Sequence, residues 1–146
     1  MNVSNDDKRL IAWCISLEGS IMLTKNRTGY TPIVEFINTN LELINKFYVL
    51  MGDTPSHIYR KRYNDGIRSD SYRCRCNHLT VVKDLLESIK DYLPSKREQA
   101  DLLLEFINLR LNCKDSWGSR GLSYTTKERD IHIKIKELNK IGKGRR

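Results

Sequence analysis

The sequence predicts one α+β domain in the order αββαββα, built on an antiparallel sheet, with further helix toward the C-terminus. Three observations carry that reading. The hydrophobic period switches between helical and alternating several times across the first 112 residues, with no long Pro, Gly or Ser linker to divide them. Two turn-rich tetrapeptides, Asn26-Arg27-Thr28-Gly29 and Asn64-Asp65-Gly66-Ile67, each separate a pair of strand-like runs. At 146 residues and 17.1 kDa, the chain suits a single hydrophobic core.

The first periodic segment runs from Lys8 to Glu18. Its stretch Leu10-Ile11-Ala12-Trp13-Cys14-Ile15-Ser16-Leu17 is apolar around nearly the whole circumference, which predicts a helix buried on both sides. Gly19 ends it, Ser20 to Lys25 alternates as a strand, and Thr31 to Asn38 returns as the second arm of a hairpin. Thr39-Asn40-Leu41-Glu42 has capping-box spacing, and Leu43, Phe47, Leu50 and Met51 recur at helical intervals until Gly52. His57 to Tyr63 and Asp70 to Cys76 form the arms of a second hairpin, both rich in charge. Leu79, Val82, Leu85, Leu86 and Ile89 give a third helix, closed by Pro94. Ser95-Lys96-Arg97-Glu98 offers another capping box and opens a helix through Leu102, Leu103, Phe106 and Leu109.

Beyond Asn112 the composition shifts to loop material from Cys113 to Gly121, so residues 1–112 read as the body and 113–146 as a basic extension of loop plus helix. Thr125-Thr126-Lys127-Glu128 repeats the capping spacing. Ile131, Ile133 and Ile135 alternate as in a strand, but Ile131, Ile135 and Leu138 also fit a helix, and the cap favours the helix.

With 26 Lys and Arg against 18 Asp and Glu, the net charge is +8 and the pI about 9.4, a balance suited to a polyanionic partner. Mean hydropathy is −0.55, and the apolar runs fall far short of the ~18 residues of a membrane span, so no membrane partner is expected. Met1 to Asp7 lacks the basic start and apolar core of a secretory signal, which predicts an intracellular protein. Cys14, Cys74, Cys76 and Cys113 are expected to be reduced, and His57, His78 and His132 are too scattered for a zinc site.

The element order, together with an apolar first helix ending in Glu18-Gly19, resembles the LAGLIDADG homing endonucleases, in their single-motif, homodimeric form. Ile11-Ala12-Trp13-Cys14-Ile15-Ser16-Leu17-Glu18-Gly19 occupies the family motif, and Ser20-Ile21 stands where its first strand usually starts. Ile37-Asn38-Thr39-Asn40 with Gly52 resembles the family's second strand and helix, and Tyr92-Leu93-Pro94-Ser95-Lys96-Arg97-Glu98-Gln99-Ala100 resembles its late stretch. Together the matches span residues 8–112. The motif's third and seventh positions are usually small so that paired helices can approach; here they hold Trp13 and Leu17. Ala12 and Ser16 remain as a small pair that permits close contact, so the pairing face is expected to be rotated or widened.

The resemblance implies a sheet that forms a DNA-binding saddle and a metal-dependent endonuclease that hydrolyses phosphodiester bonds at a site in double-stranded DNA. It assigns the metal to the motif acid, Glu18, and to the backbone carbonyl of Leu17, with Mg²⁺ as cofactor and Mn²⁺ or Ca²⁺ as alternatives. Such hard cations take oxygen ligands. Lys96 becomes the active-site lysine, stabilising charge at the scissile phosphate or polarising the attacking water, and Asn38 the residue that orients this water. Without the resemblance, Glu18 reads as a solvated helix-end carboxylate, Asn38 as a turn residue, and Lys96 as an exposed cation at a helix N-terminus, where it costs ~0.3–1 kcal/mol.

For the DNA surface, Arg73 and Arg75 share one face of their strand with Ser71, while Tyr72, Cys74 and Cys76 share the other. Arg60 and Arg62 alternate likewise on the preceding strand, so four guanidinium groups are expected to project from one surface. A β-ribbon of this kind fits the major groove, where Arg is the common bidentate reader of guanine. Ser20, Met22, Thr24 and Asn26, with Thr31 and Glu35, are expected on the same face of the first hairpin. With one motif per chain, cutting both strands requires a homodimer and a roughly palindromic target. The basic residues between Arg120 and Arg146 are read either as flanking phosphate contacts or as a solubilising terminus. The alternatives are a non-catalytic binder of the same fold, such as an RNA splicing maturase that takes intron RNA or a transcription factor, and a basic structural protein. An archaeal cytoplasm, an organelle and a phage-infected host all suit an intracellular location.

Overall fold

A computed structural model describes residues 3–113 and 124–141, so the loop residues 114–121 and the cations Arg120, Lys143, Arg145 and Arg146 lie outside the described residues. Helix α1 (Asn5–Glu18) starts earlier than its apolar run, because Ser4 Oγ accepts the Asp7 N–H at 3.1 Å and closes the first turn. It leads directly into β1 (Gly19–Asn26) and β2 (Gly29–Asn38), followed by α2 (Leu41–Leu50). The second hairpin, β3 (His57–Lys61) and β4 (Ser71–Cys76), precedes α3 (Leu79–Ile89), a 3₁₀ turn over Lys90–Tyr92, α4 (Arg97–Leu111) and α5 (Thr126–Ile141). Among the described residues no helix is long and apolar enough to cross a membrane.

The four strands form one antiparallel sheet in the order β1-β2-β4-β3, so the hairpins meet through β2 and β4. Register then decides the faces. Ile21 lies opposite Val34, and Phe36 opposite Cys74, which places these residues on one side. There they pack with Ile11 and Ile15 of α1, Ile44 and Phe47 of α2, Leu85 and Ile89 of α3, and Leu103 and Phe106 of α4. Burial raises the thiol pKa of Cys74 and pushes that of Cys76 up to about 12; all four cysteines are free.

Two expectations for α1 change. Within one chain it is buried on one side only: Ile11, Ala12, Ile15 and Ser16 face the core, while Leu10, Trp13 and Leu17 are 54%, 52% and 71% exposed. The small pair Ala12 and Ser16 therefore faces its own core and not a partner, because helical geometry keeps these residues beside Ile11 and Ile15.

The three Ser/Thr-x-x-Glu signals have different outcomes. At Thr125 the box forms: Thr125 Oγ1 accepts the Glu128 N–H at 3.2 Å, and Glu128 Oε2 accepts the Thr125 N–H at 2.7 Å. At Thr39 the cap moves one residue on, where Asn40 Oδ1 accepts from the N–H groups of Glu42 (2.9 Å) and Leu43 (3.4 Å). At Ser95 no box forms, because Lys96 takes the N-cap position and Ser95 Oγ donates instead to the Ser16 carbonyl at 3.4 Å.

Helix α5 builds Ile131 and Ile135 into the common core and leaves Ile133 exposed, so the helical reading of that stretch holds. Asn139 Nδ2 donates to the Ile21 carbonyl at 2.9 Å, covering part of the β1 edge that would otherwise offer unpaired backbone groups. At its other end, buried Glu128 meets buried Arg110 at 3.3 Å, and the Arg110 guanidinium lies 4.4 Å from the Tyr124 ring centre. Removing one partner of a buried pair strands the other charge. Glu128→Ala, which also deletes the cap, is expected to lower unfolding free energy by ~3–5 kcal/mol in urea titrations. A loss below ~1 kcal/mol would show that the pair does not anchor α5.

Candidate active site and nucleic-acid interface

The last carbonyls of a helix have no partner within it. At the end of α1 they find one in a side chain far along the sequence: Lys96 Nζ donates to the carbonyls of Ile15, Ser16 and Gly19, each at 2.8 Å. Three acceptors match the three N–H bonds of an ammonium group. Lys96 reaches them from a left-handed backbone conformation, φ 64°, the one non-glycine residue with positive φ among the described residues. A conformation of that kind costs ~1–3 kcal/mol and persists where surrounding contacts hold it. Half-burial lowers the Lys96 pKa by desolvation. The sequence places this cation at the unfavourable end of α4; in the fold it sits at the favourable, C-terminal end of α1. Ser16 Oγ also donates to the Ser95 carbonyl at 3.2 Å, tying the same two chain segments together.

Glu18, the last residue of α1, is exposed, and its Oε2 accepts from Asn38 Nδ2 at 3.0 Å. Asn38 Oδ1 in turn accepts the Asn40 N–H at 2.8 Å, which turns the amide donor toward Glu18. Gly19 permits the direct passage from α1 into β1, since a Cβ there would lie 2.6 Å from both the Glu35 carbonyl oxygen and Ile15 Cα. The fold thus brings Glu18, Asn38 and Lys96 to one junction. Among the carbonyls there, Lys96 takes those of Ile15, Ser16 and Gly19 and not that of Leu17. A carboxylate beside a main-chain carbonyl is an oxygen donor set that fits Mg²⁺, Mn²⁺ or Ca²⁺. Among the described residues no three His, Cys, Asp or Glu side chains gather as ligands.

The face of the sheet opposite Ile21 and Leu23 carries Ser20, Met22, Thr24 and Asn26 of β1, Thr31 and Glu35 of β2, and Ser71, Arg73 and Arg75 of β4. Arg60 is not among them. Its register partner is Tyr72, so it lies on the other side, where its Nε donates to Asp70 at 2.8 Å and its guanidinium sits 5.9 Å from the Tyr72 ring centre. That hydrogen bond holds the Asp70 carboxyl below the usual carboxylate range. Arg62 lies past the end of β3. The expected surface of four guanidinium groups thus becomes Arg73 and Arg75 with His57, Tyr59 and Lys61. Alternation along one strand gives parity within that strand; a one-residue offset between strands reverses it. The sequence held the signal for His57, Tyr59 and Lys61, but it could be read only once the register was known. Glu35 has the expected parity but is 2% exposed, held by Arg75 Nε at 2.8 Å, with Arg73 Nη1 at 3.6 Å. Ser71 is also buried.

No protein-family model matches this chain, and no curated protein matches it in sequence. Solved structures do. The homing endonuclease I-CvuI, in complex with its target in the presence of calcium, superposes with a TM-score of 0.63 at 17% identity, over 92% of this chain and 85% of that one. The archaeal intron-encoded homing endonuclease I-Vdi141I, complexed with DNA, gives 0.60 at 14% identity, over 93% and 99%. The LAGLIDADG meganuclease I-AabMI, bound to uncleaved DNA, gives 0.63 at 14% identity, over 89% of this chain and 43% of that one. The chain has the LAGLIDADG homing-endonuclease fold.

Lys96→Met leaves the α1 carbonyls unpaired and is expected to cost ~2–3 kcal/mol in chemical denaturation; a cost under ~0.5 kcal/mol would show that this contact does not hold the helix end. Asn38→Asp would set a new carboxylate about 3 Å from that of Glu18, and like-charge repulsion raises the pKa of the introduced carboxyl above its value in the unfolded chain. The folded state then binds more protons, so the stability deficit of that variant should grow as pH rises above ~4. Parallel melts of the parent and the variant across pH 4–8 check the sign.

Proposed function

We propose that this chain is a site-specific double-strand DNA endonuclease of the homing type, which works as a homodimer on a roughly palindromic target with a divalent cation. The observation that carries the reading is the junction at the end of α1, where the motif acid Glu18 is held at the surface beside an outward apolar stripe, Leu10, Trp13 and Leu17. A second copy packed along that stripe about a twofold axis would set two Glu18 carboxylates side by side. Trp13 and Leu17 are bulky, which sets the paired helices farther apart than small residues would.

Glu18 and the Leu17 carbonyl would hold the cation, Mg²⁺ by preference. Bound there, it supplies Lewis-acid charge stabilisation and activation of water for phosphodiester hydrolysis. Asn38 fixes the carboxylate, and Lys96 fixes the helix end from which it projects. The outer face of the sheet, with Arg73, Arg75, Tyr59 and Lys61, takes the duplex. Intron-borne coding and an intracellular location fit this activity. One observation favours the runner-up, a non-catalytic DNA or RNA binder such as a splicing maturase: Lys96 has its three donors on main-chain carbonyls and none directed to solvent.

Cleavage of supercoiled DNA carrying candidate intron-insertion sites separates the two. Glu18→Gln is expected to abolish Mg²⁺-dependent cutting while duplex affinity stays within ~3-fold, and undiminished cutting would reject the assignment. Sedimentation should give twice 17.1 kDa for the parent and 17.1 kDa for Leu17→Arg; a strictly monomeric parent that cuts both strands would contradict the homodimer.

A further inference from the structure

We propose that Glu35 is a positioning residue for target specificity: from beneath the outer face it fixes Arg75 so that the free edge of the guanidinium meets a guanine in each half of the duplex. This rests on the DNA-binding part of the function proposed above. Glu35 lies directly opposite Arg75 in the β2–β4 register and is 2% exposed. Arg75 Nε and Nη2 both converge on Glu35 Oε2, at 2.8 and 2.7 Å. The guanidinium carbon lies 5.4 Å from the Tyr59 ring centre, and Arg73 Nη1 approaches the other carboxylate oxygen at 3.6 Å.

An unrestrained arginine on a strand samples many rotamers and meets whatever acceptor comes near. Arg75 is held along one edge, beside a ring, so what remains for a partner is the opposite edge with both Nη1 protons and the outer Nη2 proton. Two donors in that fork match the O6 and N7 acceptors of guanine in the major groove, and they oppose the amino donors of adenine and cytosine. The same buried carboxylate subtracts a charge from a basic face and so weakens attraction to phosphates of any sequence. Glu35 thus trades affinity that every duplex shares for selectivity at one base pair.

Selection from a library of randomised duplexes by the full-length chain tests this, using the parent, Arg75→Lys and Glu35→Gln. The parent should enrich a site with guanine at one symmetry-related position. Arg75→Lys keeps the charge but removes the fork, so affinity for the guanine-bearing site should fall by ~10- to 100-fold and other bases should be accepted at that position. Glu35→Gln should bind random duplex more tightly, with a salt-dependence slope steeper by about two per dimer, one for each chain, and accept other bases at that position. If Glu35→Gln fails to fold, Arg75→Lys decides alone. A consensus unchanged in Arg75→Lys, or unchanged in a folded Glu35→Gln, overturns the assignment while leaving the DNA-binding reading intact. A parent that enriches no sequence overturns that reading, and this inference with it.

Discussion

A single ammonium group holds three main-chain oxygens at the end of the motif helix. Lys96 reaches across the fold to the carbonyls of Ile15, Ser16 and Gly19, and in doing so solves two problems together. It satisfies acceptors that the helix leaves without partners, and it places positive charge at the negative end of the helix dipole. Everything proposed for the site depends on that anchor. Glu18 is the last helical residue, so the direction of its carboxylate follows from where the helix stops; Asn38 then fixes the rotation. The left-handed conformation of Lys96 is the local cost of bringing its side chain there.

The sheet is the second determinant, and its properties come from register more than composition. The basic residues of β3 and β4 separate onto two faces: Arg60 pairs with Asp70 on one side, and Arg73 and Arg75 gather over Glu35 on the other. A net charge of +8 promises attraction to nucleic acid but says nothing about where on a duplex the protein stops. Selectivity needs arginines whose donors point in fixed directions, and a buried carboxylate beneath them provides this. The same arrangement accounts for a charged residue nearly out of solvent on a face that would otherwise be read as a simple basic patch.

The C-terminal segment is more than a charged appendage. Through Ile131 and Ile135 it completes the core, through Asn139 it covers a β1 carbonyl, and through Glu128 it satisfies Arg110 at the far end of α4. The strand β1 therefore has β2 on one edge and α5 on the other, which steadies the strand that follows directly from Glu18.

The sequence by itself determined the order of helices and hairpins, the capping box at Thr125, the motif ending at Glu18-Gly19, and the side of each strand on which Ser20, Met22, Thr24, Arg73 and Arg75 lie relative to their own neighbours. These are local properties: period, cap chemistry and turn chemistry act within a few residues. Only the tertiary structure decided that Ala12 and Ser16 face inward while Trp13 and Leu17 face out, that Ser95-Lys96-Arg97-Glu98 gives up its box so that Lys96 can bind α1, and that Arg60 lies on the opposite face from Arg73. Each of these depends on a contact between segments far apart in the chain, or on a register between two strands. A one-residue shift there exchanges the faces without changing any local preference.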